Sequence, residues 1–208
     1  MPETKFRKIN NLIGWLLFSV ALLTYGLTVE PTASYWDAGE YISTSAKLQV
    51  GHPPGAPFFQ MMGAVFSMFA SNNESIAIAV NFLSVVSSAF VILFLFWSTT
   101  LFLKKISKKN NFTNDTNILL SSSIGALAFT FSDSFWFNAV ETEVYALAML
   151  FLSATFWCGL RWEKDFNNKR GDKWLLLICF LIGLSFGVHF MAILTIPAIG
   201  MIYFFKKY

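Results

Sequence analysis
LIGWLLFSVALLTYGLTV, Leu12 to Val29, contains no charged side chain. At about 1.5 Å of rise per residue, one helix of that length reaches across roughly 30 Å of hydrocarbon, the thickness of a bilayer. Lys5, Arg7 and Lys8 precede it and Glu30 follows, so charge marks both ends. With the small residues Thr32, Ala33 and Ser34 beyond it, the run also fits a secretory signal peptide. It is longer than the usual signal core and is read as a retained anchor; either way the following loop is exported.

The whole chain agrees with this. Of 208 residues, 55% are hydrophobic, 18% aromatic and 13% charged, too apolar for an ordinary soluble surface. A net charge of +3 gives no nucleic-acid reading. Ile76–Leu103 is a second span, long enough to tilt or extend beyond the bilayer. Ile118–Phe131, prolonged toward Phe137, is a third and Val144–Leu160 a fourth. Trp174–Phe205 is about 48 Å long as one helix, too short for two full spans. Together these predict an all-α multi-pass membrane protein with about six crossings.

Counting charge orients it. With the N-terminus cytoplasmic, Lys104, Lys105, Lys108, Lys109, Arg161, Lys164, Lys169, Arg170 and Lys173 fall inside. If the last block is a hairpin, Lys206 and Lys207 return inside, leaving Lys47 as the one external cation of fifteen. Glu30, Asp37, Glu40, Glu74, Asp133, Glu141 and Glu143 lie outside. A single final helix would break this pattern, so two short helices are expected to meet near Gly187, Val188 and His189. Gly183 and Gly187 would allow close packing there, and Pro197 would bend the returning arm. Cys158 and Cys179 lie in apolar runs and are read as unpaired packing residues. Trp15, Trp136, Trp162 and Trp174 stand near span ends as interfacial anchors. Of the three glycosylation tripeptides, at Asn73, Asn111 and Asn114, two fall in the predicted cytoplasmic loop and are chance matches.

The exported loop, Pro31 to Asn73, contains YWDAGEYISTSAKLQVGHPPG, Tyr35 to Gly55. Ser34 with Asp37 fits a capping box, predicting a helix over 35–49 with Asp37 and Glu40 on one face. Gly51-His-Pro-Pro-Gly55 ends it, and Pro57 opens a second helix through Ala70, too short to span. The bland readings are a dipole-complementing cap for Asp37, a turn residue in His52, helix-start acids in Glu141 and Glu143, and a packing residue in His189. Against them stands convergence. All these groups fall at one outer depth, where ionisable side chains at a membrane edge are functional candidates.

WDAGE (Trp36–Glu40), GHPPGAP (Gly51–Pro57), VETEVYAL (Val140–Leu147) and GLSFGVHF (Gly183–Phe190) together resemble the bacterial multi-pass proteins of domain-of-unknown-function family 2723. That family is similar to the protein O-mannosyltransferases, with their GT-C membrane glycosyltransferase fold. The resemblance implies a GT-C-like bundle in a bacterial cytoplasmic membrane, its active site on the exterior side. It implies transfer of a sugar, mannose by analogy, from a polyprenyl-phosphate lipid to a Ser or Thr hydroxyl of an exported protein. Asp37 matches the catalytic acid that such enzymes carry in the first exported loop.

Polyprenyl phosphate already leaves well, so the chemistry asks for a base on the attacking hydroxyl, and displacement inverts the anomeric carbon. Asp37 is the expected base, its pKa raised if Trp36 and lipid shield it, with Glu40 beside it. His189 first, then His52 and Lys47, would steady the leaving phosphate. Glu141 and Glu143 would orient sugar or peptide hydroxyls. No metal or cofactor is assigned, although the carboxylates allow a divalent ion. Such enzymes are usually longer, so residues 1–208 are expected to be the N-terminal portion of one, completed by further spans. The competing class is a transporter or lipid-handling protein, with the broken helices lining a substrate path. No internal repeat favours it.

Overall fold
A computed structural model describes residues 1–53, 55–110, 113–168 and 171–208, with the side chains of Lys109 and Asn110 also outside the description. Pro54 of the Gly51–Gly55 turn, the start of the Asn111 tripeptide and the cations Lys169 and Arg170 therefore lie outside the described residues. Helix α1 (Glu3–Leu27) buries Phe6, Leu17, Ala21 and Tyr25. Its other side shows Leu12, Leu16, Leu23 and Leu27 outward. A helix apolar on both sides yet covered on one belongs in lipid.

The axis of the bundle is α4 (Ile76–Asn110), whose 35 residues make a rod of about 52 Å. Ser84, Ser87 and Ser88 are buried among Val80, Val85, Ala89 and Ile92, and such small side chains let neighbouring helices approach closely. Along it pack α1, α5 (Asp115–Thr130) and α7 (Val144–Asp165). The predicted third span is bent: α5 and α6 (Asp133–Val140) meet at 63°. Ser132 is extended at the break, and the Thr130 carbonyl freed there accepts from the buried Tyr25 hydroxyl at 2.9 Å. Asn114 accepts from Asn117 N at 2.9 Å as the cap of α5, a structural use for that asparagine.

The last block is a hairpin. Helix α8 (Asp172–Ser185) gives way at 186–189 to a 3₁₀ turn, Phe190–Thr195, and then α9 (Ile196–Lys207). Trp162 on α7 stacks on Tyr203 of α9 at 5.3 Å. Lys206 shares a cavity wall with Lys105 and Glu163. Glu3 pairs with Lys104 at 3.1 Å and Lys164 at 3.3 Å. The start of α1 and the ends of α4, α7 and α9 thus stand at one end of the bundle.

Several expectations are corrected. Among the described residues, four helices are long and apolar enough to cross a membrane, or five if the bent α5–α6 pair counts as one span. Helix α8, with only 14 residues and about 21 Å long, falls below that length, as expected of a short arm of the final hairpin. Pro197 sits in the first turn of α9, where its fixed φ starts the helix rather than bending it. Trp162 is buried, not an anchor, and Cys179 is exposed rather than packed, while both cysteines are free. A Cβ added at Gly183 would meet nothing within 4 Å, so this glycine makes no close approach.

Gly187 does make one. Its carbonyl accepts from Phe58 N at 2.8 Å and Phe59 N at 3.2 Å, taking up first-turn donors of α3 (Pro57–Ser67) that have no partner inside the helix. A Cβ there would lie 2.7 Å from Phe58 Cβ. Gly187→Ala should therefore cost about 1–3 kcal/mol through forced displacement of α3, whereas Gly183→Ala should be neutral or slightly stabilising. Thermal melts of the two variants in detergent check this, and equal melting temperatures would contradict the contact.

Candidate active site at the acidic end of the bundle
Opposite the basic end, the 30–73 segment is tied down by one buried side chain. Asn81, on the first turns of α4, donates through Nδ2 to Glu30 O at 2.6 Å and Thr32 O at 3.0 Å. Its Oδ1 accepts from the buried Thr142 hydroxyl. Glu30 N also donates to Val140 O at 2.9 Å. Two stretches far apart in sequence, 30–32 and 140–143, are thereby locked side by side.

The loop then folds into α2 (Ala38–Ala46), shorter than the expected 35–49, and α3, shorter than the expected run to Ala70. The capping box does not form. Asp37 occupies the N-cap position without a side-chain cap bond, while the Ser34 hydroxyl donates to Glu141 instead. Trp36 takes a left-handed backbone, φ 59°, and is 89% exposed, so it does not shield Asp37 as expected. Gly63 brings α3 against α2, since a Cβ there would meet Ser45 Oγ at 2.5 Å. Buried Gln60 closes the turn, its amide 3.1 Å from the Thr44 hydroxyl and, with its O and N assigned to suit their neighbours, donating to Gln49 O at 2.8 Å and accepting from Gly51 N at 3.0 Å.

Between these pieces lies a cavity of about 350 Å³. Asp37, Tyr41, His52, Glu143, Tyr145 and His189 line it, over a floor that includes Val144, Val188, Phe186 and Phe190. Asp37 stands at its edge with its side chain 53% exposed. Glu40 is not on the wall. It holds His52, accepting from the backbone N–H at 2.6 Å and facing Nδ1 at 3.0 Å, while His52 Nε2 lies 3.8 Å from Asp37. The Glu40 hydrogen bond raises the imidazole pKa, and the same residue's contacts with His52 lower that of Glu40. His189 Nδ1 is buried with no hydrogen-bond partner among the described residues, its ring 5.7 Å from that of Tyr145.

Glu143 is the buried acid of the cavity. Desolvation first, then the neighbouring charges of Asp37 and Glu141, push its pKa up to about 7 against the pull of the Asp37 and Val144 N–H groups. Glu141, also buried and raised by desolvation, is engaged by Ser34 and lies off the wall. Lys47 is exposed and off the wall too. Asp37, Glu40 and His52 offer ligand atoms within 4.8 Å of one another, a donor set compatible with a divalent ion. The same atoms also link to one another directly, with the His52 ring between the Glu40 and Asp37 carboxylates. Asn81 and Gln60 belong to no motif read from the sequence. The available signal was an amide inside an otherwise apolar helix, where an unpaired polar group is costly.

An all-α multi-pass membrane protein with an acid-lined cavity at the end away from its basic residues is the class defined here. The family described as the Protein O-mannosyl-transferase TMEM260 N-terminal domain matches residues 37–208, and the chain belongs to it. Protein O-mannosyl-transferase tmem260 of Dictyostelium discoideum is 30% identical over 158 residues, covering 74% of this chain and 18% of that relative. Protein O-mannosyl-transferase TMEM260 of Mus musculus is 26% identical over 170 residues, 81% of this chain and 22% of its own. The chain thus spans about a fifth of the length of these relatives. Both are eukaryotic, so they lend no support to the bacterial membrane expected above. No solved structure matches the chain.

Two outcomes follow from the geometry. Asn81→Ala strands two carbonyls and the Thr142 hydroxyl, each buried group costing about 1–3 kcal/mol, and should lower the melting temperature while loosening the 30–53 segment to protease; unchanged cleavage would refute the tie. Because Glu143 is raised in the folded state, its contribution to stability is complete below the ordinary carboxylate pKa of 4.5 and is lost as pH rises through about 7. Glu143→Gln should flatten the fall in melting temperature across that window.

Proposed function
We propose that the chain is the N-terminal membrane portion of a glycosyltransferase that moves a sugar, mannose by analogy with its relatives' names, from a polyprenyl-phosphate lipid to a Ser or Thr hydroxyl of an exported protein. The observation that carries this is the cavity. Asp37, His52, Glu143 and His189 come from four separate stretches of chain and face one space. The family membership supports the reaction class.

In this reading Asp37, at the open edge, takes the proton from the acceptor hydroxyl as its oxygen attacks the anomeric carbon. The bond to the lipid phosphate breaks and configuration inverts. Glu143 behind it, pushed up to a pKa of about 7 by burial, stays largely protonated below neutral pH. Glu40 acts through His52, holding its ring toward Asp37. His189, with an unpaired ring nitrogen, and His52 steady the departing phosphate. Glu141, bonded by the Ser34 hydroxyl, holds the 34 and 141–143 segments together. No step requires a metal. The distribution of cations supports a cytoplasmic N-terminus and an exported site, and residues beyond 208 in a longer protein would complete the donor and acceptor contacts.

Full-length protein given labelled polyprenyl-phosphate mannose and a Ser/Thr-rich peptide should label the peptide. Asp37→Asn should lower that rate by about 10²–10⁴-fold without lowering the melting temperature, since the carboxylate caps nothing. Undiminished transfer would remove Asp37 from the role, and label that crosses the membrane unattached would favour the transporter class.

A further inference from the structure
A second cavity lies at the other end of the bundle and shares no residue with the acidic one. It measures about 550 Å³ and sits between the start of α1 and the ends of α4 and α7. Arg7, Lys104, Arg161 and Lys164 stand on its wall against one carboxylate, Glu3. Glu3 is already shared by Lys104 and Lys164, and Arg7 pairs with no acid among the described residues. Arg161 is held near the rings of Trp157 and Trp174, 5.8 and 5.4 Å away. One of its terminal nitrogens is 3.5 Å from Asp165, while Nε is buried without a partner among the described residues. Asn10 Oδ1, on a residue of this wall, is likewise buried and unpartnered.

The cations converge on a space with an excess of positive charge, and the rest of the wall is aromatic and aliphatic: Phe6, Trp97, Trp157 and Leu101. This lies where the apolar lengths of three spans end, the depth of lipid headgroups. A phosphate ester with an apolar tail satisfies both halves of such a wall, whereas a free anion satisfies only one. We propose that this cavity binds the phosphate headgroup of an anionic glycerophospholipid from the leaflet at the basic end. It is separate from the acidic cavity at the opposite end, so it is not the sugar-lipid site. A lipid bound here would join α1, α4 and α7 beyond what Glu3 alone can do.

The test uses full-length protein in nanodiscs and native mass spectrometry. Phosphatidylglycerol should remain bound and raise the melting temperature, phosphatidylcholine should do neither, and excess inorganic phosphate should not reproduce the stabilisation. Arg7→Gln and Lys104→Gln should each weaken retention about fivefold. Equal retention of the two lipids overturns the site, as does retention unchanged in both variants. Inorganic phosphate stabilising as strongly as phosphatidylglycerol would overturn the lipid assignment in favour of a free anion. If a variant fails to fold, the comparison of lipids on the unaltered protein decides.

Discussion
A single buried amide holds the acidic end together. Asn81 sits in a helix whose neighbours are apolar, where its donors and acceptor must find partners inside the protein. It finds them in the carbonyls of Glu30 and Thr32 and the hydroxyl of Thr142. Those three groups belong to the chain leaving α1 and to the chain entering α7. Because both stretches are pinned to α4, Asp37 and Glu143, so distant in sequence, come to face each other. The cavity follows from this anchoring, with the Gly187 carbonyl performing the matching task for α3.

Charge is distributed along the bundle so that each end has its own chemistry. At one end carboxylates gather with two imidazoles, and burial moves Glu143 to a pKa of about 7. At the other, lysines and arginines crowd around Glu3, which draws the ends of α4 and α7 to the start of α1. The thickness of a bilayer, roughly 30 Å of hydrocarbon, holds the two sets too far apart to pair with one another. The acidic end can therefore handle protons while the basic end meets anions.

Much of this architecture was legible because hydrocarbon is a demanding solvent. Apolar length located α1, α4 and α7, and the confinement of cations to one side required the final block to turn back. Pro57 at the start of α3 and the motif residues Asp37, His52, Glu143 and His189 were likewise visible. Local rules failed where a tertiary partner outbid a local one. Ser34 left its expected cap to bond Glu141, the third span broke where Tyr25 took the Thr130 carbonyl, and Trp162 turned inward onto Tyr203.

The amino-acid sequence by itself determined that the chain has several helices apolar enough to cross lipid, that its cations cluster apart from most of its acids, and which titratable side chains flank the spans, since hydropathy and charge act through solvent and need no fold. Only the tertiary structure decided which of those side chains share a cavity. It set Glu40 behind His52, turned Glu141 aside, and left Asp37 open at the edge, because such choices depend on hydrogen bonds between segments that the order of residues does not pair.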